Sequence, residues 1–167
     1  TAYVARFDFQ TAEDEQITVT TALSGVSLEG AARNLAAEAP EDNFEKYCAE
    51  ARAKWNAALG TIEVTGTNED DLVKFYTALY HAQIAPTLYS DVDGAYYGPD
   101  GQIHQAQGWD NYSTFSLWDT YRAAHPLYTY IQPKRANDMI QCFLHFYEQQ
   151  GALPLWNLYG HETDMMI

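Results

Sequence analysis

Basic residues are scarce in this chain. Only 9 Lys and Arg residues oppose 23 Asp and Glu residues among 167, and the formal net charge is −14 at pH 7. A chain of this charge repels phosphate groups and has no basic patch whose binding would release counterions from nucleic acid. We therefore expect that the chain binds neither nucleic acid nor an anionic membrane surface.

Long apolar runs are also missing. No run approaches the roughly 18 residues that a membrane-spanning helix needs. The first ten residues, TAYVARFDFQ, contain no basic segment followed by an apolar core, which a secretory signal would have. The sequence therefore predicts no membrane insertion and carries no recognisable targeting signal.

Cysteine is limited to Cys48 and Cys142. They lie far apart in the sequence, each within a helical pattern, so the spacing permits a disulfide without implying one. We predict two buried thiols. Two cysteines are too few to indicate the redox compartment.

Several catalytic motifs are absent. The chain has no Gly-x-Ser-x-Gly elbow, phosphate-binding loop, glycine-rich dinucleotide turn or pair of Cys-x-x-Cys motifs, which argues against nucleotide enzymes and α/β-hydrolases. His161 and Glu162 begin a zinc-protease motif, but Met165 stands where its second histidine belongs. That motif is therefore incomplete.

The residues that are present predict a globular, mainly helical fold of the α+β class. With 47% hydrophobic and 14% aromatic residues, the chain is too apolar for intrinsic disorder. Apolar periodicity and terminal signals predict helices over 27–39, 40–59, 67–85, 113–125 and 133–150. The start signals are Ser27, Pro40, Thr67 with Asp70, and Pro133; the stop signals are Gly60, Pro86, Pro126 and Gly151. Paired helices from residue 67 onward are typical of a helical hairpin array.

Alternating apolar and polar residues predict β-strands outside these helices. Residues 3–10 and 17–23 show this alternation, and 61–64 predicts a further short strand. Two strands cannot bury a face alone, so we expect their sheet to continue in sequence outside this chain. The final GHETDMMI similarly looks like the opening turn of another helix, so we expect the chain to be a segment of a larger protein. The predicted division is 1–26 for the strands, 27–66 for a helical linker with a short strand, and 67–167 for an incomplete helical domain.

The segment 87–111 is predicted to be irregular or short-stranded, with turns or a hairpin in SDVDGAYYGPDGQ. Asp91, Asp93 and Gly94 resemble the start of a calcium loop, but the later ligands and the closing glutamate are missing. Turn-forming side chains explain these residues better.

Aromatic and charged residues gather in the second half of the sequence. Aromatic faces beside carboxylates and arginine suit a sugar, which offers C–H faces for stacking and hydroxyls for hydrogen bonds. Aromatic residues at helical spacing are more often part of a core, so both interpretations stay open. The residues concerned are Trp109, Asp110, Trp118, Asp119, Arg122, His125, Trp156, His161, Glu162 and Asp164.

Within FSLWDTYRAAHP, helical spacing would bring Trp118, Asp119 and Arg122 towards one neighbourhood. Asp119 and Arg122 then form either an intrahelical ion pair or part of a ligand site. Glu162 and Asp164 are candidates for an acid and a base. However, side chains two apart on a helix diverge, and both would also suit a helix N-terminus.

Three blocks of the sequence resemble glycoside hydrolase family 92, the calcium-dependent exo-acting α-mannosidases. They are FYTALYHAQIAPTLYSDVDGAYYG, YSTFSLWDTYRAAHPLYTYIQP and GALPLWNLYGHETDMMI, and TTALSGVSLEGAARNLAAE resembles the family's passage from its β-sandwich to its helical domain. The resemblance implies the end of an N-terminal β-sandwich, linking helices and the first helices of an (α/α)6 toroid. It also implies a secreted or periplasmic protein.

The resemblance implies hydrolysis of terminal α-linked mannose, with α-1,2 linkages expected, from N-glycans or mannans. The implied reaction inverts the configuration at the anomeric carbon. One carboxylic acid protonates the leaving oxygen, and a second carboxylate, roughly 6.5 to 9.5 Å away, activates a water. Calcium is expected to bind the sugar and help distort its ring, with ligands mostly outside this chain. Trp118 and Asp119 match the Trp–Asp pair that contacts mannose in the family, and from the spacing we expect Arg122 to hold Asp119 ionised.

The family's general acid and general base align after the last residue of this chain. We therefore expect no catalytic residue here, with Glu162 only in a supporting place, and we expect the isolated chain to be inactive. The remainder of the parent polypeptide would be its partner. The alternatives are another (α/α)6 glycoside hydrolase and a non-catalytic carbohydrate-binding module.

Overall fold

The structure is a computed structural model that describes residues 4–153. The described residues are mainly helical and include short strands, which confirms the predicted α+β class. The helices are α1 (Leu28–Glu38), α2 (Phe44–Leu59), α3 (Glu69–Ile84), α4 (Leu117–Thr120), α5 (Ala124–Ile131) and α6 (Pro133–Gln150). The strands are β1 (Thr87–Leu88), β2 (Ala95–Tyr97), β3 (Ile103–Gln105) and β4 (Tyr112–Ser113). No helix in this part of the chain is long and apolar enough to cross a membrane.

Short polar side chains set the starts of the first three helices. Ser27 caps α1 by accepting a hydrogen bond from the Gly30 N–H, as predicted. The predicted start signals of the next two helices were wrong, because Asn43 caps α2 and Asn68 caps α3. Each asparagine side-chain oxygen accepts from a first-turn N–H, a bond that proline cannot make.

The predicted helix over 113–125 was also wrong. Two helices, α4 and α5, lie in this region instead of one. Pro126 lies in the first turn of α5 rather than after a helix end. First-turn N–H groups have no intrahelical partner, so proline loses nothing there. The predicted limits of α6 are confirmed, with Pro133 at its start and Gly151 beyond its end at φ 76°.

The predicted strands at 3–10, 17–23 and 61–64 are not formed in the described residues. Val4 and Leu23 are 94% and 89% exposed, because no neighbouring strand covers this segment. Near 61–64, the Tyr76 hydroxyl takes the place of a strand partner: it donates to the Ile62 carbonyl and accepts from the Val64 N–H, both at 3.2 Å.

Two small antiparallel sheets follow α3. Strand β1 pairs with β4 through Thr87 opposite Ser113, and β2 pairs with β3 through Tyr96 opposite His104. The β2–β3 hairpin confirms the prediction for this region. Its turn includes Gly101 at φ 76°, a conformation that glycine adopts without steric cost.

The core lies between β4, α5 and α6. Tyr128, Met139 and Cys142 are each 1% exposed, and Phe115 joins them at 5%. Cys142 is thus buried as predicted, but Cys48 is exposed, and both are free thiols. Other apolar residues of α6 face outward, with Ile140, Leu144 and Tyr147 more than half exposed.

The C-terminal end of α3 is anchored to this core. The Tyr128 hydroxyl donates to the carbonyls of Ala82 and Ala85, and the Arg135 guanidinium donates to those of Gln83 and Pro86. These carbonyls have no partner within a helix, so the two side chains complete their hydrogen bonding. A cis peptide bond joins Ala85 to Pro86.

Candidate functional site

Asp119 lies on the short helix α4, which follows β4 and precedes α5 in the chain. Phe115 and Leu117 are 5% and 7% exposed, whereas Asp119 is exposed. The apolar residues of this segment therefore anchor the backbone, and the carboxylate faces outward. An exposed carboxylate avoids the desolvation that burial would impose.

The expected ion pair between Asp119 and Arg122 is not formed. The Asp119 carboxylate accepts a hydrogen bond from the Ser116 hydroxyl, and the Arg122 Nε donates to the Tyr121 hydroxyl. The Arg122 guanidinium also lies 5.1 Å from the centre of the Tyr121 ring. Helix α4 ends at Thr120, so helical spacing does not extend to Arg122.

The other members of the predicted set do not all fall within the described residues. The Trp118 side chain lies outside the description, as do Trp156, His161, Glu162 and Asp164. His125 packs its ring near those of Tyr128 and Phe143, with centroids 5.7 and 6.4 Å away.

Trp109 is held by aromatic neighbours. It stacks on His145 with centroids 4.7 Å apart and meets Tyr96 edge-on at 5.8 Å, and it packs against the core. These contacts support the core interpretation of Trp109. It also lines two open cavities of about 420 Å³ each, which share Gly108 and Lys134.

Lys134 joins two carboxylates next to these cavities. Its Nζ lies 2.9 Å from Asp110 and 2.7 Å from the buried Asp138. Hydrogen bonds to Asp138 and Asp110 raise the pKa of Lys134 above its ordinary value. The Lys134–Asp138 pair was not predicted, although its i,i+4 spacing on α6 was a usable signal.

A larger cleft of about 840 Å³ opens between α2, the end of α3 and the start of α6. Trp55 and Ile84 supply apolar walls, and Gln83 and Arg135 lie at its lining. Asp110, one of the charged residues that suit a sugar, also lines this cleft, whereas Asp119 does not.

The described residues hold no cluster of acidic side chains suited to calcium. Between residues 4 and 153, no group of three His, Cys, Asp or Glu side chains could hold a metal ion. Asp91 and Asp93 form hydrogen bonds within a turn instead. The Gly94 N–H donates to the Asp91 carbonyl at 2.8 Å, and the Ala95 N–H donates to the Asp93 carboxylate at 3.2 Å. The predicted turn is confirmed.

A model of the glycosyl hydrolase family 92 catalytic domain matches residues 30–167. The chain belongs to glycoside hydrolase family 92. The match confirms the resemblance carried by the FSLWDTYRAAHP block and its neighbours. Comparison with curated proteins gave no match.

Solved structures of family 92 agree in sequence and backbone. The α-mannosidase BT3965 from Bacteroides thetaiotaomicron is 37% identical, with a TM-score of 0.76 over 84% of this chain and 19% of that protein. Its complex with mannoimidazole matches at a TM-score of 0.75, again at 37% identity, over 84% of this chain and 18% of that protein. The inverting mannosidase BT2199 from the same organism is 32% identical, with a TM-score of 0.76 over 85% of this chain and 20% of that protein. The chain therefore spans about a fifth of the length of these family 92 relatives.

Proposed function

We propose that this chain is part of an exo-acting α-mannosidase and supplies part of its sugar subsite through Trp118 and Asp119. The observation that carries the proposal is the family 92 match across residues 30–167, which includes the Trp–Asp pair. The matched relatives are named as mannosidases, and one of them has a bound mannoimidazole, which supports a mannose-type ligand.

Asp119 contributes an exposed acceptor for sugar hydroxyls. No ion pair among the described residues involves Asp119, so its negative charge is free to strengthen a hydrogen bond from the ligand. The Ser116 hydroxyl occupies Oδ2, and Oδ1 remains for the sugar. Trp118 would supply the stacking surface of the same pair.

Proton transfer in the proposed reaction is assigned to other parts of the parent protein. Inversion would use an acid and a base carboxylate roughly 6.5 to 9.5 Å apart, across a site that admits one water. Glu162 is proposed only as a supporting residue. The proposed substrates are N-glycans or mannans with terminal α-1,2-linked mannose, and the proposed location is secreted or periplasmic.

Calcium dependence is proposed for the parent protein alone. Since the described residues provide no metal cage, no step proposed for this chain depends on the ion. Chelation of calcium should lower mannose release by the full-length protein and leave the proposed hydrogen bond of Asp119 unaffected.

Replacing Asp119 in the full-length protein tests the proposal. A hydrogen bond to a charged group contributes roughly 1.5 to 3 kcal/mol, so we expect Asp119→Asn to lower kcat/KM for an aryl α-mannoside roughly 10- to 200-fold. Asp42→Asn, at an exposed position before α2, is the matched control and should leave the rate unchanged. A full-length protein that releases no mannose would contradict the enzyme proposal. Mannose binding without hydrolysis would favour the carbohydrate-binding alternative.

A further inference from the structure

Ser116 occupies the N-cap position of α4 but does not cap it. Its side chain makes no hydrogen bond to the helix backbone and donates to the Asp119 carboxylate instead. In a capping box the serine hydroxyl accepts from the N–H three residues later. Here that N–H belongs to Asp119 and donates to the Ser116 carbonyl at 3.1 Å. The bond between the two side chains therefore serves the carboxylate rather than the helix.

The backbone of Ser116 is held in place by its surroundings. Its carbonyl accepts from the Thr120 N–H at 3.2 Å and from the Thr120 hydroxyl at 3.0 Å, in addition to the Asp119 N–H. The neighbours Phe115 and Leu117 are buried in the protein interior. The backbone that carries the donor hydroxyl is thus fixed before any ligand arrives.

The backbone just before Ser116 is strained. Thr114 has φ 68°, a left-handed conformation that a β-branched residue rarely adopts. Such conformations persist only where the surrounding structure enforces them, and they are common at functional sites. At Thr114 the strained residue turns the chain out of β4 and into the Ser116–Asp119 turn.

We propose that Ser116 is a positioning residue, whose hydroxyl fixes the Asp119 carboxylate in the orientation that accepts a hydrogen bond from the sugar. The inference rests on the proposed function of Asp119. A neutral hydroxyl orients the carboxylate without cancelling its charge, which an arginine partner would do. This role replaces the one that spacing predicted for Arg122.

A double-mutant cycle in the full-length protein tests this role. We expect Ser116→Ala to lower kcat/KM for an aryl α-mannoside about tenfold, mainly through KM, because one hydrogen bond to a charged group is lost. Ser116→Thr keeps the hydroxyl and should restore the rate to within about threefold. In the Asp119→Asn background, Ser116→Ala should have little further effect, because the two residues act together. Ser113→Ala on β4 is the control and should match the wild type.

The outcomes separate this inference from the proposed function. An equal loss from Ser116→Ala in both backgrounds would mean a merely structural role and overturn the inference, as would wild-type kinetics of Ser116→Ala. Absence of activity in the wild-type protein would overturn the proposed function and this inference with it. If Ser116→Ala does not accumulate, Ser116→Cys, which keeps the volume but donates weakly, takes its place under the same expectations.

Discussion

The Asn34 side chain of α1 binds the turn that contains Asp91. Its Nδ2 donates to the Asp91 carboxylate at 2.9 Å, and its Oδ1 accepts from the Val92 N–H at 2.9 Å. Asn34 and Asp91 are 8% and 5% exposed, so both are largely shielded from water. The Ser24 hydroxyl donates to the other oxygen of Asp91 at 2.7 Å. Helix α1 and the turn before β2 are therefore joined by a buried polar network.

Asn34→Ala should destabilise the protein through this network. The change leaves the Asp91 carboxylate short of a donor and the Val92 N–H without its acceptor, which costs about 2 to 3 kcal/mol of unfolding free energy. Urea denaturation measures the loss, and amide exchange at Val92 should accelerate. Asn56→Ala, on the exposed face of α2, is the control and should change the stability little. Equal stabilities of the two variants would contradict the prediction.

Gly30→Ala should also destabilise the protein, although alanine normally favours a helix by about 1 kcal/mol. An added Cβ would lie 2.3 Å from the Asp91 carboxylate and 2.6 Å from the Ser24 hydroxyl. Because both neighbours are held in the buried network, we expect a net loss of about 1 to 3 kcal/mol in urea denaturation. Gly66→Ala is the matched control, since its Cβ would meet Leu72 at an ordinary 3.8 Å. A stabilised Gly30→Ala protein would contradict the prediction, because it would mean that Asp91 and Ser24 can move to make room for the added Cβ.

Cys142 should resist alkylation at pH 8. Burial raises the pKa of its thiol from the ordinary 9.0 to about 11, so its thiolate fraction is roughly 100-fold smaller than that of an unperturbed thiol. In a Cys48→Ser variant, iodoacetamide should react slowly with the folded protein and rapidly after denaturation. The wild type, with exposed Cys48, provides the comparison. Rapid labelling of the folded variant would contradict the burial.

The same shift predicts a pH dependence of stability. The folded pKa of Cys142 lies above its unfolded value, so its contribution is fully present below about pH 9.0 and is lost as the pH rises through about 11. Cys142→Ala should reduce this alkaline loss.

The isolated 167-residue polypeptide is predicted to release no mannose from an aryl α-mannoside. The prediction follows from the resemblance, from which we expect the family's acid and base to lie outside this chain. The full-length protein under the same conditions is the control. Mannose release by the purified polypeptide would refute it.

Local signals predicted much of the helical structure. Ser27, Gly60 and Gly151 lie at helix ends as their chemistry requires, because capping depends on residues a few positions apart. The same local reasoning failed at Pro126, where proline suits a first turn as well as a helix stop. Alternation at 3–10 predicted a strand, but a strand needs a partner, and the described residues provide none there.

The candidate site likewise has features that the sequence predicts and features that depend on tertiary packing. The sequence by itself determined the family, through motifs such as FSLWDTYRAAHP, and thereby the proposed roles of Trp118 and Asp119. Only the tertiary structure decided the partner of Asp119, because the Arg122 pairing required a helix longer than α4. It also decided the contact between Asn34 and Asp91, which depends on packing between distant segments and leaves no periodic signal. Helix caps and turns depend on residues a few positions apart, so the sequence reveals them. Contacts between distant residues depend on how the whole chain packs.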